Sequence, residues 1–126
     1  MSIVPSSEVQ TLLAPSEYFS GEVWQEFLVR PAAPSRVCML RVTFLPGGRT
    51  HWHTHPAGQT LHVLSGLGNF QAWGGEVKVI RPGDTIWIAP NEKHWHGAAP
   101  GHLLVHLAIQ EEVDGVQANW LEPVGS

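Results

Sequence analysis

Pro46-Gly-Gly-Arg-Thr-His-Trp-His53-Thr-His55-Pro-Ala-Gly-Gln59 is the stretch of this chain that says most about its fold. His53 and His55 stand two residues apart after a glycine turn, so on an extended backbone both imidazoles lie on one face of a strand. Gln59 follows a Pro-Ala-Gly corner, and its amide oxygen can return toward the same point as the next strand begins. The stretch therefore predicts two strands that bring three ligands of one metal ion together.

A second segment, Arg81 to His94, contains a Pro-Gly-Asp turn, a short apolar strand and a further histidine. Three ligands from one hairpin rarely fill the shell of a transition metal, so we expect His94 to be the fourth ligand. His96 lies in phase with His94 and is expected to contribute to the pocket wall behind the ligands. His51, in register with His53, is expected at the rim of the site.

Together these segments resemble the two sequence motifs of the cupin family. The first follows G-x5-H-x-H-x3-E-x6-G from Gly47 to Gly66, with Gln59 in the glutamate position. The second follows G-x5-P-x-G-x2-H-x3-N from Gly83, with His94 in the histidine position. The second motif has three departures: Ala89 for proline, Asn91 for glycine and Ala98 for asparagine. The resemblance implies an all-β double-stranded β-helix, which is a jelly-roll barrel.

Histidines at alternate positions can also be a solvated strand face with no metal. The second motif follows at cupin spacing, and this favours the metal site. His62 falls out of phase with Gln59, Leu61 and Val63, so we expect it on the opposite face of the sheet, in a surface or subunit contact.

Composition excludes several classes of protein. At 126 residues the chain is long enough for one domain, and a net charge of −4 with 14% charged residues provides no basic patch for nucleic acid. No apolar run is long enough to cross a membrane, and the N-terminus lacks a basic, apolar secretory pattern. We therefore expect a cytoplasmic protein that binds neither nucleic acid nor membrane. Cys38 has no partner cysteine and lies in an apolar run, which predicts a buried thiol.

Thirteen glycines and ten prolines separate about ten short strands, which is typical of an all-β sandwich or barrel. The run from Arg36 to Leu45 alternates, with one wholly apolar face that should line the interior. The run from His102 to Gln110 also alternates, and it places His106 and Gln110 on a small, otherwise apolar pocket face. We expect residues 1–20 to form an N-terminal arm and residues 21–126 a single cupin domain.

Over most of its length the sequence resembles small bacterial single-domain cupins that include manganese-dependent hydroxynitrile lyases. The resemblance implies one divalent transition metal, with Mn preferred and Fe, Ni, Co or Zn as alternatives. It implies metal ligation by His53, His55, Gln59 and His94, and a substrate pocket bordered by Leu40, Val42, His106 and Gln110.

Four neutral ligands leave the charge of a divalent ion uncompensated, which favours Lewis-acid chemistry. Our leading hypothesis is a metal-dependent lyase for a small α-hydroxy substrate, most concretely a hydroxynitrile lyase that cleaves a cyanohydrin to an aldehyde and cyanide. We assign proton transfer to His106, with His96 as its rival and Gln110 beside it. The alternatives are a metal-dependent cupin dioxygenase and a non-catalytic binding module for a metal or small ligand. A jelly roll of this size should assemble into a homodimer or homotetramer.

Overall fold

The computed structural model describes residues 1–125, and its regular structure is almost entirely β-strand. One turn of 3-10 helix, Ser6–Glu8, precedes the strands. In chain order the strands are β1 (Leu12–Leu13), β2 (Phe19–Ser20), β3 (Val23–Val29), β4 (Val37–Phe44), β5 (Arg49–Thr50), β6 (His53–Thr54), β7 (Gln59–Gly66), β8 (Gly68–Ala72), β9 (Lys78–Ile80), β10 (Thr85–Ile88), β11 (His94–Ala98), β12 (Leu104–Glu111) and β13 (Asn119–Trp120). Ser126, the last residue of the expected domain, lies outside the described residues.

The strands form two antiparallel sheets that face each other. The six-stranded sheet has the order β1-β3-β4-β12-β7-β10. The other runs β13-β6-β11-β5-β2, with β8 also paired to β11 and β9 paired to β8. Chain neighbours such as β4 and β5 therefore lie in different sheets, which is the arrangement of a jelly roll. The all-β jelly-roll prediction is confirmed.

The hydrophobic core lies between the sheets and follows the alternation of the long strands. In β4 the side chains of Cys38, Leu40, Val42 and Phe44 are all buried, whereas those between them are more exposed. In β7 and β12 the same period of two alternates buried with partly exposed residues over most of each strand. The all-apolar face predicted for residues 36–45 is therefore the interior face.

In-register pairing sorts the inward side chains into rows that run across the six-stranded sheet. One row joins Cys38, Gln110, Gln59 and Ile88 from four neighbouring strands. A neighbouring row contains Ala108, with Leu40 on one side and Leu61 on the other. His106 belongs to the row beyond, between Val42 and Val63. The side chains of His106 and Gln110, which are expected in the pocket, thus lie at fixed positions among apolar residues on the interior face of the sheet.

The predicted ligand strand over residues 50–55 is interrupted. His51 donates its backbone N–H to the carbonyl of Tyr18, and Trp52 donates its own to Glu122. Since these groups are bonded to segments remote in sequence, the ladder breaks into β5 and β6. The segments at both chain ends thus hold the ligand hairpin in place.

The first 20 residues include two strands. β1 pairs with β3, and β2 pairs with β5, so residues 12–20 contribute to both sheets. Near the other end, Trp120 in β13 stacks on the rings of Tyr18 and His53. The division into an arm and a domain stays a prediction, although the arm is held by these pairings.

Candidate metal centre

Three histidines and a glutamine converge at the end of the barrel interior. His53 and His94 are paired residues on β6 and β11, with ring centroids 4.2 Å apart. The ring of His55 lies 4.9 Å from that of His53 and 5.5 Å from that of His94. Gln59 opens β7 in the opposite sheet, and all four side chains are buried. The structure therefore brings together the four residues predicted as ligands.

Gly58 allows Gln59 to turn back toward the histidines. Its φ is +82°, a backbone conformation that glycine adopts without strain. A Cβ at this position would lie 2.6 Å from the indole of Trp87 and 2.7 Å from the carbonyl oxygen of Ile88. Only glycine therefore fits this corner between the His-x-His pair and β7.

Two of the imidazoles are oriented by backbone carbonyls that lie just before their strands. Nδ1 of His53 lies 2.8 Å from the carbonyl oxygen of His51, and Nδ1 of His94 lies 2.8 Å from that of Glu92. A carbonyl can only accept, so both Nδ1 atoms carry the proton and both Nε2 atoms keep a lone pair. His51 is itself buried rather than placed at the rim, and it acts here through its backbone.

His55 and Gln59 are oriented from elsewhere in the chain. Nδ1 of His55 donates to the carbonyl of Gln117 over 2.7 Å, across 62 residues of sequence. Nε2 of Gln59 donates to Oε1 of Gln110 over 3.1 Å. Nε2 of His55 and Oε1 of Gln59 are therefore the atoms left to coordinate an ion.

These donor atoms fit a divalent transition metal. Nε2 of His94 lies 3.3 Å from Oε1 of Gln59, and in the tautomer fixed by Glu92 both atoms present lone pairs to each other. Nε2 of His55 is buried and has no hydrogen-bond partner among residues 1–125. Converging lone pairs without a donor are costly in a protein interior, and a bound cation satisfies them.

Burial keeps these imidazoles neutral. It is the main cause that lowers the pKa of His94 to about 4, and it also lowers the pKa of His53 and His55. The neighbouring imidazoles lower the pKa of His53 further, because two adjacent positive charges repel each other. The neutral ring is the form that binds a metal at neutral pH.

His96 and His106 form a second group beside the ligands. Nε2 of His106 lies 2.9 Å from Nδ1 of His96, so one ring donates to the other. Ring nitrogens of His53, His94 and His96 all lie within 4.8 Å of one another, which places His96 closer to the ligands than a pocket wall requires. Burial lowers the pKa of His96 and brings that of His106 to about 4.

Each histidine of this second group has one nitrogen available for further chemistry. Nε2 of His96 and Nδ1 of His106 are buried, and neither has a hydrogen-bond partner within residues 1–125. Because the bond between the two rings can be donated from either side, a proton can pass along it when the tautomers change. The arrangement can therefore accept a proton at one ring and relay it to the other.

A cavity of about 410 Å³ opens onto both groups. Leu40 and Val42, predicted as pocket residues, are buried in its wall, together with the rings of Phe27 and Phe44. The volume is in the range of sites that enclose a small organic molecule. The predicted pocket thus combines an apolar wall with the metal-binding residues and the hydrogen-bonded pair His96 and His106.

Sequence reasoning missed several polar residues of this cavity, among them Gln25 and Gln117. Gln25 lies on β3 between Val23 and Phe27, and a period of two in this strand would have placed it on the inward face. Gln117 lies in the loop of residues 112–118, where the sequence has no periodic pattern. His62 lies on the outer face, where its Nδ1 is 2.8 Å from Oγ1 of Thr85.

In residues 1–125 there is no helix with the length and apolar character needed to span a bilayer.

The sequence profile described as "Cupin domain" matches residues 40–107. Over 110 residues the chain is 51% identical to a protein named (R)-mandelonitrile lyase from Granulicella tundricola, with 87% of this chain and 84% of that protein covered. A solved cupin-like protein from Thermotoga maritima is 41% identical, with a TM-score of 0.86 over 90% of this chain and 86% of the other.

More remote solved structures share the fold alone. A polyketide cyclase from Streptomyces resistomycificus aligns with a TM-score of 0.73 at 21% identity, over 86% of this chain and 78% of that one. The profile match covers both ligand segments and most of the long strands, but it leaves out β3, the first part of β4 and the last part of β12. The chain belongs to the cupin domain family.

Proposed function

We propose that this cupin is a metal-dependent lyase that cleaves small α-hydroxynitriles to an aldehyde and cyanide. The observation that carries the proposal is the hydrogen bond between His96 and His106, in a cavity that His53 and His55 also line. His96 belongs with His53 and His94 to a cluster that could hold a metal, whereas His106 is outside that cluster, and a site that only bound a metal would not require it. The name of the relative at 51% identity supports the same reaction class.

The proposed ligands are His53, His55, Gln59 and His94, and the proposed ion is divalent, with Mn preferred over Fe, Co, Ni and Zn. A bound ion would supply a positive charge that lowers the pKa of a substrate hydroxyl. The ligand set is uncharged, so none of that charge is cancelled as it would be by a carboxylate. Nitrogen and oxygen donors of this kind accommodate several of these metals.

The histidine pair takes the proton of the hydroxyl group. As the O–H bond breaks, its electron pair forms the carbonyl bond, and the bond from the carbinol carbon to the nitrile carbon breaks. The electrons of that bond leave on cyanide, which receives the proton back from the imidazolium and departs as hydrogen cyanide. We assign the acceptor to His106, whose hydrogen bond to His96 lets the two rings share the proton.

The rest of the substrate is held by apolar side chains. Leu40, Val42, Phe27 and Phe44 provide a hydrophobic wall for an aromatic or alkyl group, and they exclude water from the leaving cyanide. The side-chain amides of Gln25, Gln110 and Gln117 line the same cavity, beside the proposed ligand Gln59. The chamber of about 410 Å³ is large enough for a one-ring cyanohydrin.

Aldehyde release from mandelonitrile tests this function. The rate is measured by the absorbance of benzaldehyde in manganese-loaded protein, in protein stripped with a chelator, and in stripped protein reloaded with manganese. We expect loss on stripping and recovery on reloading. Equal rates in loaded and stripped protein would contradict a role for the metal, and the absence of release would contradict the choice of substrate.

The same proposal includes a homodimer or homotetramer. The outer face of the six-stranded sheet carries exposed apolar side chains, among them Leu64 and Trp87. Covering such groups is a common reason for sheet-to-sheet association. Light scattering at micromolar concentration should give a multiple of 13.8 kDa, and a species of 13.8 kDa alone would contradict it.

A further inference from the structure

Gln59 poses a problem of orientation that a glutamate in its place would not pose. Both oxygens of a carboxylate can coordinate a cation, so a half-turn of the group changes nothing. An amide has one oxygen, and the same half-turn would aim its NH2 group at the ion. Coordination by Gln59 therefore requires some other group to fix which end of the amide faces the histidines.

A chain of side-chain amides provides this constraint. Nε2 of Gln59 donates to Oε1 of Gln110 over 3.1 Å, and Nε2 of Gln110 donates to Oε1 of Gln117 over 3.3 Å. Gln59 and Gln110 are register partners on β7 and β12, so the first bond follows from strand pairing. The second bond reaches the loop of residues 112–118. Each amide thus fixes the orientation of the next, and Gln117 is the terminal member.

The backbone at Gln117 is held by a hydrogen bond to its own carbonyl and by a turn in the residues before it. Its carbonyl accepts the Nδ1 proton of His55 over 2.7 Å. The loop that carries it is closed by a tight turn, in which the backbones of Val113 and Val116 exchange two hydrogen bonds of 2.8 and 2.9 Å. Gln117 therefore holds His55 through its backbone and the amide chain through its side chain.

We propose that Gln117 is a positioning residue that, through Gln110, holds the amide oxygen of Gln59 toward the metal. The inference rests on the proposed metal centre, since the orientation of Gln59 matters only if an ion binds there. In this role Gln117 acts through Gln110 and does not coordinate the ion itself. It makes a glutamine usable at a position where the cupin motif has glutamate.

A double-mutant cycle tests the proposal with metal affinity as the measurement. Gln117→Leu removes the amide but keeps the backbone carbonyl that accepts from His55. Gln59→Glu replaces an amide, which has one oxygen that can coordinate, by a carboxylate, which has two. In the parent protein Gln117→Leu should weaken Mn or Co binding about tenfold, as removal of groups that orient metal ligands does. In the Gln59→Glu background the same substitution should change affinity by less than about twofold, because either carboxylate oxygen can coordinate.

The affinities are obtained by competition with a chelator, and the visible absorption of the Co form reports the ligand field. Gln117→Glu keeps an oxygen acceptor for Gln110 and should retain at least the parent affinity. Gln71→Leu is the matched control, because Gln71 also has both ends of its amide bonded, to Trp95 and Gly75, but it lies outside the cavity. It should leave affinity unchanged, and thermal unfolding checks that each variant folds.

Two outcomes would overturn the proposal in distinguishable ways. An equal loss from Gln117→Leu in the parent and in the Gln59→Glu background, or no loss in either, would mean that Gln117 does not orient the amide, while the metal centre would stand. A parent protein that binds neither Mn nor Co would remove the metal centre itself, and the orienting role with it.

Discussion

The four proposed ligands divide into two pairs that the fold positions in different ways. His53 and His94, the locally held pair, each donate Nδ1–H to the carbonyl two residues earlier on the same segment. His55 and Gln59, the loop-held pair, are oriented by Gln117 directly and through Gln110. One pair therefore needs only the local backbone path, whereas the other needs a loop that follows the last long strand.

Because of this difference, the two pairs of ligands should respond differently to a change elsewhere in the protein. The locally held pair keeps its orientation as long as the backbone keeps its path from His51 to His53 and from Glu92 to His94. The loop-held pair depends on the loop of residues 112–118, which also forms part of the cavity wall. A ligand or a mutation that moves this loop should change the metal site on one side only.

Removal of a locally held ligand should have the largest effect. We expect His53→Ala and His94→Ala each to lower metal affinity by more than about 100-fold, since loss of a ligand exceeds the loss from a group that merely orients one. His102→Ala is the control, because His102 is an exposed histidine in a turn. Metal content after gel filtration measures the effect, and full occupancy in either alanine variant would show that the residue is not a ligand.

The histidine pair should affect turnover without removing the ion. We expect His106→Ala to keep its metal and to lose about 100-fold or more of the rate with mandelonitrile, as general acid-base groups do. Because His106 and His96 share a 2.9 Å hydrogen bond, the double variant should be little worse than His106→Ala alone. Sequence alone ranks His96 second, and the hydrogen bond makes the two a unit.

Steady-state rates on the single and double variants, with metal content measured in parallel, decide this prediction. His106→Asn keeps a polar group in the buried position and checks that the loss is not caused by a cavity. Multiplicative losses in the double variant would show that the two rings act independently. Loss of the ion from His106→Ala would place His106 among the ligands instead.

The sequence predicts the locally held pair well and the loop-held pair incompletely. The period of two along β4 indicates which face is interior, and the His-x-His spacing places both rings on one face. Those signals are local, so they can be read from neighbouring residues. The bond from His55 spans 62 residues, and the pattern around Gln117 gives no sign of it. Nor does the sequence show that Tyr18 and Glu122 interrupt the ligand strand, because both contacts arise only when the chain ends pack.

In metal-free protein, a fall in pH should affect the histidines of the locally held pair and of the loop-held pair in the same way. Burial is the main cause of the lowered pKa in His53, His55 and His94, whatever the source of the hydrogen bond. The pKa of His106 is lowered from 6.5 to about 4 for the same reason. The unfolded chain therefore takes up protons as pH falls through 6.5, whereas in the folded protein the pKa values of His94 and His106 are about 4 and those of His53 and His55 are also lowered. Stability should be complete above pH 6.5 and should decrease from there toward pH 4.

The expected slope is about 1.4 kcal/mol per pH unit for each proton taken up on unfolding. Urea unfolding of chelator-treated protein at several pH values between about 7.5 and 4.5 measures it. A free energy of unfolding that stays constant over this range would contradict the burial of neutral histidines. Metal-loaded protein is the comparison sample, in which coordination opposes protonation of the ligands.

The smallest effect is expected from a change in the loop alone. Gly115 has a φ of +78° and no atom within 4 Å of the position a Cβ would occupy, so Gly115→Val adds backbone strain without a clash. The strain of roughly 1–2 kcal/mol falls on the turn that holds Gln117. Gly74→Val is the matched control, because Gly74 has a φ of +81° and equally open surroundings in the turn after β8.

Both variants should lose similar stability, but only Gly115→Val should weaken metal binding, by a few-fold, since only its loop orients ligands. Long-range nitrogen–proton NMR spectra of the metal-free protein report which ring nitrogen of each histidine carries the proton. His53 and His94 should keep the proton on Nδ1 in both variants, whereas His55 should show a mixture of tautomers in Gly115→Val. If His53 and His94 change together with His55, the two pairs are not held independently, because strain in the loop would then reach the whole site.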